Sequence, residues 1–178
     1  MISSYIFLLG RILLLGYERI IVKKLGQNQN SESATLLFFA TASLFLFPFI
    51  FFAERPSSYI FLKYVLLSGF IYALAFTLYV KSLSSAEVSL VSPIYNFNVF
   101  FLIILTTLFL GESISFLKIM GIFVMIYGAS YLNKQKNVLT SIKYLFKDPA
   151  CVYMMISSML IAVGRVIDGF SVKETPPL

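Results

Sequence analysis

Six long apolar blocks occupy most of the 178 residues, and almost nothing polar interrupts them: Ser4–Val22, Ala34–Ala53, Tyr59–Leu83, Val88–Leu110, Ser115–Leu132 and Ala150–Phe170. An α-helix crosses the ~30 Å hydrocarbon core of a bilayer with about 20 residues, and each block is near that length. No water reaches that core, so every backbone amide must be bonded within its own segment. The blocks are therefore expected to be helices, and the fold an all-α, polytopic membrane helix bundle with six transmembrane helices. Composition agrees: 59% of the residues are hydrophobic and only 12% charged, with 19 Phe and 11 Tyr. That leaves too few polar groups to cover a soluble domain of this size.

A net charge of +6 would suggest nucleic acid in a soluble protein. Here Lys and Arg sit mostly at block ends, where they reach lipid headgroups, so the lipid bilayer is the expected partner and nucleic acid is not. With no His and a single Cys, Cys151, a zinc site and a disulfide framework both lack their parts, and no cofactor is expected. The first block carries Arg11, Glu18 and Arg19 and ends in Lys23-Lys24, unlike a cleavable signal peptide. The side reached after the first, third and fifth blocks holds Arg19, Lys23, Lys24, Lys81, Lys134, Lys136, Lys143 and Lys147, against Arg55, Lys63, Lys118 and Lys173 opposite. Charge bias alone puts the richer side in the cytoplasm and the amino terminus outside.

Between the fifth and sixth blocks, Lys136–Lys147 is too polar to span. On a helical wheel Val138, Leu139, Ile142, Leu145 and Phe146 fall in one arc opposite Lys136, Lys143 and Lys147. That pattern predicts a basic amphipathic helix in the interface, either a lateral linker between two halves of a bundle or an ordinary surface anchor. Asp148-Pro149 then starts the sixth block, with Asp at the cap and Pro in the first turn. A weak internal echo appears at a shift of 150 residues: Glu18 falls on Asp168, and Val22-Lys23 on Val172-Lys173. Together these suggest five spans over residues 1–132, a linker over 133–149, and a repeat opening over 150–178. Such repeats are common in transporters.

The most specific pattern lies in the fourth and fifth blocks: Val91-Ser92-Pro93-Ile94-Tyr95-Asn96-Phe97-Asn98, an apolar run to Gly111-Glu112, then Gly121 and Gly128. Pro93 removes one helix bond and frees a carbonyl, so the helix can kink or offer that oxygen to a ligand. Gly121 and Gly128 share a face on which a neighbouring backbone could approach. This stretch resembles the EamA family of the drug/metabolite transporter superfamily. There, a Pro-containing fourth helix ends in Gly-Glu, and glycines follow nine and sixteen residues after the Glu, the spacing of Glu112, Gly121 and Gly128. Val91, Pro93 and Ile94 resemble in part the start of that family's fourth helix, although Val99 stands where a second Pro commonly follows. The resemblance covers roughly residues 4–132 and the opening of a second repeat. It implies a ten-helix bundle of two inverted five-helix repeats, a central substrate cavity and alternating access. It also implies export of amino acids, other metabolites or drugs from bacteria, and both termini in the cytoplasm. That orientation conflicts with the charge count, and both remain open.

Charges inside spans cost about 2.5–3.5 kcal/mol on insertion scales, so each is a functional candidate. Arg11 lies near the middle of the first block, and Glu18 is seven residues later on the same face. They either line a polar cavity, with Glu18 exchanging a proton or holding a cation, or they are neutralised by a distant carboxylate and by headgroups beside Arg19. Arg19 and Lys23 read as snorkelling anchors. Arg165 and Asp168, three apart on the sixth helix, could pair directly, and in an inverted repeat would face the first helix. Asn96 and Asn98 stand two apart and so cannot share a face; Asn96 with Tyr95 is the choice for substrate hydrogen bonding, interhelical bonding being the alternative. Tyr72 offers a hydroxyl at similar depth. Gly69 and Ala73 read as packing, and Glu112, at a helix end, as structural.

The leading function is a secondary transporter of a small-molecule substrate. No phosphate-binding loop with Lys occurs, so ATP is not its energy source within this chain. An intramembrane enzyme would need a nucleophile with its base, a metal or a carboxylate pair, and with no His and one Cys most such chemistries lack their parts. The remaining alternative is a non-transporting membrane scaffold or an inactive transporter fragment, because a half-bundle encloses a cavity only if two copies associate as a homo-oligomer.

Overall fold

The computed structural model describes residues 2–52, 59–130 and 147–174. Apart from Lys147, the amphipathic linker expected at Lys136–Lys147 lies outside the described residues. Within them all regular structure is helical. The chain runs as α1 (Ile2–Asn28), α2 (Ser31–Leu46) with a 3₁₀ extension Phe47–Phe52, α3 (Phe61–Ser85), α4 (Val88–Tyr95), α5 (Phe97–Leu105) closing in a π-turn Thr106–Leu110, α6 (Phe116–Ser130) and α7 (Pro149–Glu174).

Among the described residues, four helices are long and apolar enough to cross a membrane: Ser31–Phe49, Phe61–Ser85, Val88–Leu110 and Pro149–Lys173. These correspond to the second, third, fourth and sixth apolar blocks. The first and fifth blocks also form helices, α1 and α6, whose described residues do not combine the length and apolarity of the other four. The α1 helix has 27 residues, yet Arg11, Glu18, Arg19, Lys23 and Lys24 interrupt its apolar run. The described part of α6 has 15 residues, short of a full crossing.

Local chemistry sets the helix ends. The Asp148 Oδ1 accepts the Ala150 N–H at 2.8 Å, so Asp148 caps α7 as expected and Pro149 occupies the first turn. Ala86 is extended (φ −142°, ψ 177°) and separates α3 from α4. At that break Lys23 Nζ donates to the Ala86 carbonyl at 2.8 Å, tying the end of α1 to the end of α3. Pro93 splits the fourth span as expected. The backbone tightens there into i→i−3 bonds, Asn96 N–H to Pro93 O at 3.1 Å and Val99 N–H to Asn96 O at 3.0 Å. The span stops at Gly111, whose φ of +71° is a left-handed C-cap that a Cβ would disfavour. Glu112 follows with an ion pair to Lys118 at 3.6 Å, the structural role its position suggests.

The longest interface joins α3 to α7, and α7 also packs on α5 and α4. Small residues bring the two backbones close enough for hydroxyls of one helix to reach carbonyls of the other. Ser82 Oγ donates to Ala150 O at 2.6 Å and Ser157 Oγ to Ala75 O at 2.7 Å. In a medium with no water to compete, such packing and bonding replace hydrophobic collapse as the force that holds helices together. The hydrophobic core gathers Val22, Ala34, Val80, Leu83, Val91, Ile94, Cys151 and Met154, where α1 and α3 end and α2, α4 and α7 begin. Away from that end, α1 and α6 expose Phe7, Leu13, Leu14, Phe116, Leu117 and Phe123, as lipid-facing helices do. No atom outside the local helix lies within 4 Å of a Cβ built on Gly121 or Gly128. The close approach expected there is not made by the described residues, because α6 packs only lightly, on α5.

Because the left-handed conformation costs an L-residue about 1–2 kcal/mol, Gly111→Ala is expected to lower unfolding stability in detergent by that amount, whereas Glu112→Gln, which removes a half-exposed ion pair, should cost less than about 1 kcal/mol. Chemical denaturation of the two variants followed by circular dichroism checks the order.

Candidate functional site

The α3 helix carries Tyr72 and Tyr79 seven residues apart, hence on one face and about 10 Å apart along the axis. Each meets an acid from a different helix. The Tyr72 hydroxyl donates to Asp168 Oδ2 on α7 at 2.5 Å. Tyr79, 3% exposed, lies beside the Glu18 carboxylate and the Arg19 guanidinium on α1. Tyr95 on α4 stands between the two ends: its ring is 5.2 Å from that of Tyr79, Arg19 lies over it at 5.7 Å, and it feels the charges of Arg165 and Glu18. A polar column therefore threads the interior of an otherwise apolar bundle, built from α1, α3, α4, α5 and α7.

The α7 end of the column is sterically defined. A Cβ on Gly164 would sit 2.6 Å from Tyr72 Cε1 and 2.8 Å from Cζ, so only glycine leaves the notch in which the tyrosine ring lies. One residue on, Arg165 Nη1 donates to Asn98 Oδ1 at 3.1 Å. Asn98 is 4% exposed, and its amide donates in turn to the Tyr95 carbonyl at 2.6 Å, an oxygen freed by the break after Pro93. The helix interruption thus fixes an asparagine, and the asparagine fixes an arginine. Ser92, beside Pro93, is buried with its hydroxyl unpartnered among the described residues, a second polar group that the kinked span holds inside.

The structure places Tyr72, Tyr95, Glu18, Arg165 and Asp168 along the column, and it departs from the expected arrangement around them. Asn96 is exposed and Asn98 is the inward residue, because the tight turn at the break rotates α5 relative to α4. Arg165 and Asp168 do not pair with each other: Asn98 takes one and Tyr72 the other. Nor do they face α1, since α7 packs on α3, α5 and α4. Arg19 and Lys23, expected as headgroup anchors, make contacts within the protein, to the Tyr95 ring and the Ala86 carbonyl. Arg11 is exposed and stands apart, on a shallow groove along α1 shared with Phe7, Gly10, Leu14 and Glu18, so it keeps the common face with Glu18 and does not reach the column. Gly69 and Ala73 line an open groove of about 580 Å³ between α2 and α3, with Glu32, Thr35, Tyr72 and Thr77. That volume suits a small organic molecule, and the Tyr72 side chain is both its wall and the partner of Asp168.

The sequence model of the EamA-like transporter family matches residues 2–134, more than half of the chain. The chain belongs to the EamA-like transporter family. Neither a curated protein nor a solved structure matches it. The family match ends before α7 begins, yet in this EamA-like chain α7 supplies Gly164, Arg165 and Asp168 to the column. Gly164 was missed by sequence reasoning, and Asn98 was weighed but passed over for Asn96. The available signal was spacing: Gly164 lies on the turn just before a charged pair, and Asn98 lies five residues after Pro93.

A double-mutant cycle of Tyr72→Phe and Asp168→Asn, read by denaturation in detergent, is expected to give a coupling of about 1–2 kcal/mol, the upper part of the range for interhelical bonds in membranes, because the acceptor is charged. Gly164→Ala should reproduce most of the Tyr72→Phe effect by expelling the ring, and additive effects would exclude the contact.

Proposed function

We propose that this protein is a secondary transporter that exports small organic metabolites or drugs across the cell membrane, a bacterial inner membrane, by alternating access. The observation that carries the proposal is the polar column: two acids, two arginines and three tyrosines carried on apolar helices, where each charge is costly and structural economy alone would remove them. Family membership supports the class, and the groove of about 580 Å³ against Tyr72 supports a small solute. Asp168 and Glu18 would serve as the proton- or cation-handling groups, Tyr72, Tyr95, Asn98 and Arg165 as the solute-contacting ones. Arg11 and Asn96, expected to line the site, contribute less in this reading because both are exposed away from the column. Pro93 and Gly111 shape the fourth span, and the bilayer is the partner throughout. A ten-helix bundle, whether from further helices or from a second copy, would enclose the column on its open side.

Efflux of a radiolabelled metabolite panel from proteoliposomes containing the purified protein is the test. Asp168→Asn is expected to reduce transport of any carried solute at least about tenfold, while Arg11→Ala leaves it within about twofold. Absence of transport by folded wild-type protein across the panel, or full activity of Asp168→Asn, would overturn the proposal.

A further inference from the structure

Arg165 is the anomalous charge of the column. It lies eight residues before Lys173, where the apolar span ends, so its Cα is about 12 Å inside that end. It is exposed on the open side of the bundle, yet among the described residues no carboxylate lies within ion-pairing distance of it. The acid that spacing offers, Asp168, is already taken by Tyr72. A single hydrogen bond donated to the neutral Asn98 Oδ1 uses one of the five guanidinium donors and compensates none of its charge. Asn98 is itself buried and doubly bonded, to Arg165 and to the Tyr95 carbonyl, so the guanidinium is held in place with its remaining donors free. An unneutralised, positioned arginine at this depth calls for an anion.

From this we infer that Arg165 is the docking point for the carboxylate of the transported solute, with Asn98 as the residue that positions it. The inference rests on the transporter proposal above and names the solute's chemistry. A planar carboxylate matches the guanidinium fork with two parallel bonds. A singly charged group suits the surroundings better than a dianionic phosphate, because Asp168 and Glu18 stand in the same column as Arg165 and Arg19. Tyr72 and Tyr95 lie within electrostatic reach of Arg165.

The test uses the full chain in phosphatidylcholine nanodiscs, with phenylacetate and its uncharged amide phenylacetamide as probes, bound ligand being read by saturation-transfer NMR. Phenylacetate is expected to bind at least about tenfold more tightly than phenylacetamide, the difference that charge-assisted bonds supply. Arg165→Gln should abolish this preference, and Asn98→Ala should weaken it with the charge still present. Arg165→Lys should retain part of it, a readout that a merely structural arginine would not give, and melting curves identify any variant that fails to fold. Equal binding of acid and amide, or an unchanged preference in folded Arg165→Gln, overturns the inference. Discs containing phosphatidylglycerol distinguish the other source of an anion: if that lipid suppresses the phenylacetate signal only when Arg165 is present, the guanidinium anchors a headgroup and the solute site is overturned. Carboxylate binding without transport would sink the transporter proposal alone, and transport indifferent to the carboxylate would sink this inference alone.

Discussion

The seam between α3 and α7 is the contact on which the site depends. Lipid chains are as apolar as leucine, so two membrane helices gain little by hiding grease from one another and must gain by close packing and by bonds between polar groups. Ser82, Ser157, Ala75, Ala150 and Gly164 meet both needs. They are small enough to let the backbones approach, and the serines cross the gap to carbonyls of the opposing helix. The same closeness brings the Tyr72 hydroxyl to Asp168. Widening the seam by one methyl at Gly164 would strike the tyrosine ring itself, so the geometry that assembles the bundle and the geometry that holds the acid are one arrangement.

The fourth span adds a second device. Pro93 has no N–H to donate and interrupts the helix: the backbone tightens across Asn96, which leaves the Tyr95 carbonyl open, and the Asn98 amide fills it. A break that began as a defect in hydrogen bonding thereby fixes the orientation of Asn98 and, through it, of Arg165. In a soluble protein water would satisfy the freed carbonyl. Inside a bilayer the chain must supply the donor from its own side chains, which is why a kink in a span so often carries polar residues around it.

These relations explain what the sequence could and could not disclose. Helical class and the approximate limits of the six apolar helices follow from apolar length, and the Asp148 cap and the Gly111 stop from local residues, since each rests on residues adjacent in the chain. The inward set of Tyr72, Tyr95, Glu18, Arg165 and Asp168 was accessible because a charge or phenol in grease has few other places to point. Partner choice was not. That Asp168 prefers Tyr72 to Arg165, three residues away, depends on a helix ninety-six residues earlier. The choice of Asn98 over Asn96 depends on the twist at the break, which shifts the helical phase by an amount that no periodic wheel contains. The contacts of Arg19 and Lys23 were hidden for a related reason: their position near a helix end suggests headgroups and does not reveal that Tyr95 and the Ala86 carbonyl lie beside them.

The distribution of packing gives the column a direction. At the end where α1 and α3 finish and α4 and α7 begin, Val22, Leu83, Val91, Ile94 and Met154 are fully enclosed and Lys23 fastens α1 to α3. Toward the other end Tyr72, Asp168 and Arg165 are only partly covered, the α2–α3 groove opens beside Tyr72, and Arg11 lies exposed on α1. The Glu18–Tyr79 pair therefore belongs to the sealed half and the Asp168–Tyr72 pair to the open half, about two helical turns apart on α3. The bond from Lys23 to the Ala86 carbonyl and the close approach of Gly26 to Val80 and Ser84 hold α1 against α3 at the sealed end, whereas the α3–α7 seam carries the acid–tyrosine pair at the open one.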